Sequence, residues 1–386
     1  MADKDLYQAE LFSNRLAKRY RLLRKWARKN RVTCYRLYDR DIPEIPLAAD
    51  IYEFLPDDIT SPIEAARFMQ QESAAESAND ASSAADRKSR QYLTLSLYER
   101  PYEKPEAEEE AWLAAMAKAA DSVLSISIPH IIIKTRKHDK GGSQYAKDDL
   151  KIVSKSDAAI SGTVQELGQL FRVDLSNYLD TGLFFDHRPL RSIVRDTSSG
   201  KSVLNLYCYT ASFSVYAAEG KAKRVESVDL SNTYLAWAEQ NMKMNGFDDA
   251  ERYICTRGDV TGFLNQKNAE VPHLDAKGKI DGTNRWDIII LDPPTFSNSK
   301  MTENTLDINR DWPELVNKCV NLLTPGGTLY FSTNSRRLSF DSTLINGKSS
   351  AGYAVHTEDI TAQTLDEDYK DSHAHRCWKI STASVF

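Results

Sequence analysis

Cysteine is scarce and badly placed for covalent scaffolding. There are five in 386 residues, an odd number with no C-x-x-C pair and no clustering with histidine. That pattern excludes a disulfide frame and a structural zinc site, and no metal is expected. Cys34, Cys208, Cys255, Cys319 and Cys377 lie in or beside apolar runs, where core thiols are the default. No window approaches eighteen apolar residues, and the charged opening MADKDLYQAE does not read as a signal peptide. A cytoplasmic protein with no membrane partner is the expectation. Internal repeats are also missing. Positive charge is not in excess, since 50 Lys and Arg face 55 Asp and Glu for a net charge of -5. With 41% hydrophobic residues, a chain of this length can bury a full α/β domain and a smaller second one.

The most informative absence is glycine in one turn. Residues 201–231, KSVLNLYCYTASFSVYAAEGKAKRVESVDLS, read as a strand (202–206), a tight turn, a helix (212–218) and a second strand (225–228) ending in Asp229. Short apolar strands joined by a crossover helix form a βαβ unit. A carboxylate at the end of the second strand can accept hydrogen bonds from both hydroxyls of an adenosine ribose. A dinucleotide site requires G-x-G-x-x-G in the first turn, so that backbone amides can close on a pyrophosphate. The turn here, Leu206-Tyr207-Cys208-Tyr209-Thr210-Ala211-Ser212, has no glycine. S-adenosylmethionine has a ribose, no phosphate and a positive sulfonium, so the turn favours a methyl donor over NAD. Taken alone, the segment fits an ordinary βαβ unit with a chance terminal Asp equally well.

A second strand end adds to it. Residues 286–291 have a buried-strand pattern that stops at Asp292-Pro293-Pro294-Thr295-Phe296. The two prolines lack amide donors and fix the chain at the carboxyl end of the sheet, where ligands of open α/β sheets bind. An acid-Pro-Pro-x-aromatic turn in that place resembles the fourth motif of class I methyltransferases acting on nucleic acid bases. The plain alternative is a Pro-rich turn with a surface Asp.

Charge is unevenly distributed. Between Arg15 and Arg40, eleven basic residues, among them Lys18, Arg24, Lys25, Arg28 and Lys29, face a single acid, Asp39. Phe12, Leu16, Tyr20, Leu23 and Ala27 fall on one side of a helix there. Such a helix packs its apolar stripe on the protein and turns a basic face outward, which suits phosphate-backbone contact.

Strand patterns at 32–38, 47–54, 91–98 and 126–134, a helix at 106–123 and a short strand at 151–153 predict a small α+β domain over 1–160. Within it, 56–90 reads as a mobile insertion with some helix, rich in Ala, Ser, Asp and Glu. A polar stretch at 265–284 reads as a second insertion. A strand at 167–175 precedes Gly182, and Asp186-His187-Arg188 opens a helix. His187 reads there as a general base or, more simply, as a helix-opening polar residue. Beyond Asp229 the pattern gives a helix at 235–244, a strand at 252–255 followed by Asp259, a helix at 315–323 stopped by Pro325-Gly326-Gly327, and strands at 328–332, 353–360 and 377–384. Asp259 suits either the adenine amino group or the cap of the next helix. The predicted class is α/β, a seven-stranded methyltransferase sheet over 161–386 with the last strand antiparallel.

The chain resembles the bacterial 23S rRNA guanine-N7 methyltransferases, the half usually fused behind a guanine-N2 methyltransferase. The resemblance runs through Asn14-Arg15-Leu16, Trp26-Ala27-Arg28, Cys34-Tyr35-Arg36-Leu37-Tyr38-Asp39, Tyr178-Leu179-Asp180-Thr181-Gly182-Leu183-Phe184, Asp186-His187-Arg188, Leu204-Asn205-Leu206, Tyr209-Thr210 and Asp292-Pro293-Pro294-Thr295-Phe296-Ser297-Asn298-Ser299-Lys300. It implies a class I fold and S-adenosylmethionine. Thr181, Gly182 and Phe184 through Arg188 would line the methionine end, with Asn205, Tyr207, Tyr209 and Thr210 near the sulfonium. Asp229 would hold the ribose, Asp259 the adenine, and Asp292, Pro293 and Phe296 the target base. The implied partner is 23S rRNA, unassembled or partly unfolded, with the guanine-N2 activity carried by a separate chain if at all. The sequence departs at Ala211, where the family pattern expects glycine. The nearest cousins methylate carbon 5 of cytosine with a cysteine after the fifth strand, where this chain has Phe331-Ser332-Thr333-Asn334-Ser335. The rival readings are a cytosine-C5 enzyme and an RNA-binding relative without catalysis.

Overall fold

The computed structural model describes residues 3–100, 102, 104–135, 159–270, 285–297, 305–350, 352–370 and 372–383. The strand expected at 151–153, positions 298–300 of the proline motif and most of the 265–284 stretch lie outside them. Two compact units divide the chain, Met1–Phe185 and Asp186–Phe386.

In the first unit, helix α1 (Asp3–Lys29) buries Gln8, Phe12, Leu16, Leu23 and Ala27. That stripe recurs every three to four residues, as an amphipathic helix requires. Strands β1 (Cys34–Asp39), β2 (Leu47–Glu53), β3 (Gln91–Leu97) and β4 (Ile131–Thr135) form one sheet in that order. Only β3 and β4 pair in parallel, and α4 (Glu106–Leu124) provides the crossover that a parallel pair needs. The helix expected within the insertion makes up most of it, as α2 (Pro62–Ser77) and α3 (Ala81–Ser89). Ser61 and Asp80 cap them by accepting bonds from first-turn amides. Their low apolar content is that of helices with little buried face, a property that composition does not separate from disorder.

The single strand expected at 167–175 is a hairpin, β5 (Ser161–Glu166) and β6 (Gln169–Asp174). Leu167 and Gly168 turn it with φ of 50° and 101°, the left-handed pair that two-residue hairpins favour. Leucine in a place that ordinarily takes Asn or Gly concealed the turn. This hairpin hydrogen-bonds to the first unit, Thr33 N to Gln165 O at 2.9 Å and Leu55 N to Thr163 O at 2.8 Å. The units therefore divide after Phe185 and not at residue 160.

The second unit contains α5 (Arg188–Thr197), β7 (Ser202–Leu206), α6 (Ser212–Glu219), β8 (Arg224–Asp229), α7 (Asn232–Met244), β9 (Tyr253–Arg257), α8 (Val260–Glu270), β10 (Trp286–Leu291), the short pair β11 (Phe296–Ser297) and β12 (Leu306–Asp307), α9 (Ile308–Asn321), β13 (Leu323–Thr333), β14 (Val355–Asp359) and β15 (Arg376–Thr382). Seven strands form one sheet in the order β14-β15-β13-β10-β7-β8-β9, with β15 antiparallel to both neighbours. Alternate strand residues go to opposite faces. Leu204, Leu206, Ile289, Leu291, Leu329 and Phe331 pack with α8 and α9, while Val203, Val225, Ile288, Ile290 and Tyr330 pack with α5 and α6. Gly220 ends α6 where a Cβ would overlap the Arg195 carbonyl, so the close approach of α5 there requires glycine. Two boundaries differ from expectation. Pro325-Gly326-Gly327 bulges within β13 rather than stopping a helix before it, and α9 starts at Ile308, capped by Asp307, with Pro313 inside. From β7 the chain builds outward through β8 and β9, then returns to β10 on the other side. The carboxyl ends of β7 and β10 are thus the switch point of the sheet.

Candidate active site

The turn after β7 holds three non-glycine residues in left-handed backbone, Tyr207 (φ 55°), Tyr209 (φ 52°) and Ala211 (φ 61°). Each costs roughly 1–2 kcal/mol relative to ordinary backbone, so something must hold the turn. Asp229 does part of this. Its carboxylate accepts from Tyr209 N at 3.0 Å and Ser231 N at 2.9 Å. Burial pushes its pKa up against the pull of those amides. Asn241 supplies another brace, donating to the Thr210 carbonyl at 2.9 Å. Tyr209 stands edge-on to Tyr234, ring centres 4.6 Å apart. Asn205 is buried and donates to Ser214 Oγ at 2.9 Å, joining β7 to α6. Asp259 accepts from Gly262 N at 2.8 Å, which caps the start of α8, and its charge adds to burial in raising the Tyr207 hydroxyl.

After β10 the turn is held from the side. Asp292 Oδ1 accepts from Ser332 Oγ of β13 at 2.6 Å, and Oδ2 lies 3.2 Å from His187 Nε2. Pro293 is buried, and Phe296 is 47% exposed. Burial would raise the Asp292 pKa, but the His187 charge and the bonds from His187 and Ser332 hold it below the usual carboxylate value. Burial would likewise lower His187; Asp292 and Asp186 overcome it and lift the imidazole to about 9. Raised in this way His187 favours the imidazolium, and it opens α5 as the plainer of the two sequence readings has it. It stands at the N-cap of α5 without making a capping bond.

The same cluster extends inward. His187 stacks on His375, ring centres 4.4 Å apart and planes 20° apart. His375 Nδ1 is 3.1 Å from Asp186 Oδ2, and its Nε2 is 2.9 Å from Thr364 Oγ1. Arg188, fully buried, places Nη1 3.0 Å from both Asp366 and Asp368. Asp186, His187 and His375 offer donor atoms within 4.8 Å of one another. Stacked rings point their lone pairs along parallel planes, however, and the ring nitrogens nearest the acids are already engaged. The arrangement is an ion-pair network. Ser332, His375, Asp366 and Asp368 carried no signal in the sequence, because their partners in the cluster lie 40 to 189 residues away, and Thr364 joins only through His375, 11 residues on.

Residues 144–360 match the S-adenosylmethionine-dependent methyltransferase family, more than half of the chain. The chain belongs to that family. Among its relatives is the ribosomal RNA large subunit methyltransferase K of Neisseria meningitidis serogroup B, 38% identical over 96% of this chain and 86% of that one. Ribosomal RNA large subunit methyltransferases K/L of Magnetococcus marinus and Pseudomonas aeruginosa are 34% and 35% identical, but this chain spans only 43% and 42% of their length. Among solved structures, a protein of Streptococcus mutans assigned to the SAM-dependent methyltransferases has a TM-score of 0.64 at 18% identity, covering 97% of this chain and 81% of that one. One from Agrobacterium tumefaciens has a TM-score of 0.51 at 19% identity, covering 75% and 84%. These two likenesses concern the fold alone.

The methyltransferase uses S-adenosylmethionine, and the switch point fits it. The Asp229 carboxylate is also bonded by the Leu230 amide, and of its four lone-pair sites it keeps room for a ribose hydroxyl. Asp186 and Asp292 flank the His187 imidazole, and Arg191 is the further charge acting on it. Thr181, Gly182 and Phe184 close the first unit. Thr181 Oγ1 is 2.9 Å from Tyr52 Oη, Gly182 has a φ of 105°, and Phe184 is exposed. Buried Lys134 donates to the carbonyls of Tyr178 and Leu179 at 2.7 and 3.1 Å and so holds that loop. On α1, Lys18, Arg24, Lys25 and Lys29 are exposed. Arg15 pairs with Asp41 and Arg28 with Glu76, acids that the sequence reading did not set against them. Among the described residues, no helix is long and apolar enough to cross a membrane.

Proposed function

We propose that this methyltransferase modifies large-subunit ribosomal RNA in the cytoplasm, at N7 of a guanine in 23S rRNA, before that base is packed away. The observation that carries the reading is the turn Asp292-Pro293-Pro294, clamped by Ser332 and His187. Two prolines leave it without amide donors at those positions, so it presents acceptors. Guanine's Watson–Crick edge carries the donors N1–H and N2–H2 beside the O6 acceptor, so those two donors can meet the acceptors of the turn while N7 faces away from them. Exposed Phe296 is available to stack on an unpaired base, worth roughly 1–3 kcal/mol. The relative from Neisseria, named for large-subunit ribosomal RNA and matched over most of its length, supports the substrate class.

Bound S-adenosylmethionine supplies an electrophilic methyl on a positive sulfonium. Guanine N7 has a lone pair and no proton, so it attacks in line; the N–C bond forms as the S–C bond breaks and the electron pair returns to sulfur. No base has to remove a proton. Asp229 and Asp259 would hold the donor's nucleoside, Asp186 and Arg188 would shape its methionine end, and Asp292 would orient the base. Rate then comes from holding the two reactants in near-attack geometry.

Cysteine chemistry offers no support for the cytosine-C5 alternative. Burial pushes the Cys208 and Cys377 thiols well above their ordinary value and Cys255 up to about 11, so none is poised as a thiolate. Mapping of 23S rRNA from a deletion strain by mass spectrometry tests the reading. One N7-methylguanosine should vanish and return on complementation; an unchanged guanine profile, or loss of a methylcytosine, defeats it. The exposed face of α1 would contact the RNA backbone. Reversing Arg24 and Lys25 should lower the salt dependence of RNA binding by about two phosphate contacts, and an unaltered slope would make that face ordinary solvated surface.

A further inference from the structure

His187 is more tightly enclosed than a cofactor-lining residue needs to be. Nε2 sits 3.2 Å from Asp292 Oδ2 and 3.9 Å from Asp186 Oδ2. One face of the ring stacks on His375, and Phe213 of α6 packs against it with centres 5.7 Å apart. Its other nitrogen, Nδ1, is buried with no hydrogen-bond partner among the described residues. The orientation of the ring therefore rests on the Asp292 contact and on the two neighbouring rings. Asp292 in turn is gripped from two directions, by Ser332 on Oδ1 and by His187 on Oδ2. Without the imidazole, its carboxylate keeps one fixed oxygen and is free to rotate about it.

We propose that His187 is a positioning residue for the methyl transfer: as an imidazolium it clamps the Asp292 carboxylate against Ser332 so that the target base meets it in one orientation, and His375 steadies the clamp by stacking. The proposal rests on the reading that Asp292 faces the base. The charged and titratable groups around His187 come from every side of it: Asp186 before α5, Arg191 within α5, Asp292 after β10 and His375 before β15. Two acids oppose Arg191, and the acids prevail, since the imidazole is raised to about 9. With Arg191 alongside, the imidazolium balances the two carboxylates while holding them in place. Loss of one proton would remove the positive charge from between the two carboxylates and reduce the clamp to a neutral Nε2–H bond to Asp292.

The test uses the full chain with His187→Gln, Asp292→Asn and the double substitution. Methylation of a 23S rRNA transcript gives kcat and KM, calorimetry with S-adenosylhomocysteine gives donor affinity, and NMR of labelled histidine follows the His187 proton. His187→Gln should lower kcat at least tenfold, with donor affinity within about twofold of wild type. Adding His187→Gln to Asp292→Asn should slow the enzyme little further, because both act on one carboxylate. In the wild type the His187 resonance, assigned by its loss in His187→Gln, should titrate well above neutral, and in Asp292→Asn it should move down by at least one pH unit. The alkaline fall in kcat should track that titration. The inference is overturned if His187→Gln retains wild-type kcat and pH profile, or if His187 titrates in the same range with and without the Asp292 charge. Should the wild type leave the transcript unmethylated, the substrate reading has failed, and the NMR comparison still decides the clamp. Should His187→Gln lose donor binding as well, the residue holds cofactor and the positioning role is wrong.

Discussion

Two turns close neighbouring strands at the switch point, and they are built by opposite means. After β7 the chain passes through three left-handed residues, and the amide of Tyr209 is turned onto Asp229. After β10 two prolines remove amides altogether and Asp292 is held by side chains. The first turn is rich in donors and needs an acid to order it. The second is poor in donors and needs a hydroxyl and an imidazole. Each acid has a structural duty before any ligand arrives, and that duty fixes where its remaining lone pairs point. A glycine-rich turn would make the first arrangement less costly. It would also give up the side chains of Tyr207, beside Asp259, and Tyr209, which packs on Tyr234.

Substitutions separate the two turns. Asp229→Ala should have the largest effect, since its charged hydrogen bond to the donor and its hold on the first turn are together worth roughly 2–4 kcal/mol. Calorimetry should show affinity for S-adenosylmethionine lower by about 30- to 1000-fold, and an unchanged dissociation constant would remove Asp229 from the donor site. Asp292→Asn should lower kcat by about a hundredfold, the scale of a misplaced reactant, while donor affinity stays near wild type. Collapse of donor affinity instead would make the second turn a cofactor element like the first. Pro293→Ala restores an amide donor to a turn that lacks them and should slow turnover roughly tenfold, the cost of an unpaired polar group. Equal rates would mean that the absence of donors is incidental. Smallest of all, Ala211→Gly relieves one left-handed residue, worth about 1 kcal/mol, against a similar loss from the freer unfolded chain. Thermal melting should therefore shift by only a few degrees, and a large fall in melting temperature would show that the methyl group of Ala211 packs usefully.

The two acids also differ in their response to pH. His187 is raised from 6.5 to about 9, so the stability it contributes is complete below about 6.5 and fades as pH climbs through 9. Asp292 is held below its ordinary 3.8, so its contribution is complete above that value and is lost only as pH falls through the depressed one. Asp229 is raised, so donor binding should weaken on the acid side before the clamp does. Denaturation and binding measured in parallel from pH 3 to 10 would order these events, on the scale of ordinary carboxylate and imidazole titrations.

Much of the second unit could be read from the chain alone, because parallel strands buried on both faces leave short apolar runs, and the acids that end them stand in plain sequence. Strands β7, β8 and β10, the helix between the first two, Asp229 and the Asp292 turn were all legible for that reason. The turn at Leu167-Gly168 was not, since its leucine adopts a backbone that sequence assigns to smaller residues. Nor was the extent of α2 and α3, whose composition matches that of a disordered tract. His187 was legible as a polar residue at a helix start, and its role was not. The side chain that shares a carboxylate with it comes from Ser332, and the ring that steadies it belongs to His375. Local pattern fixes which residues face the core, since that depends on spacing of three or four along a helix and two along a strand. Which charges meet depends on strand order in the sheet, and only the folded chain decides that, by bringing the ends of α5, β10, β13 and β15 to one place.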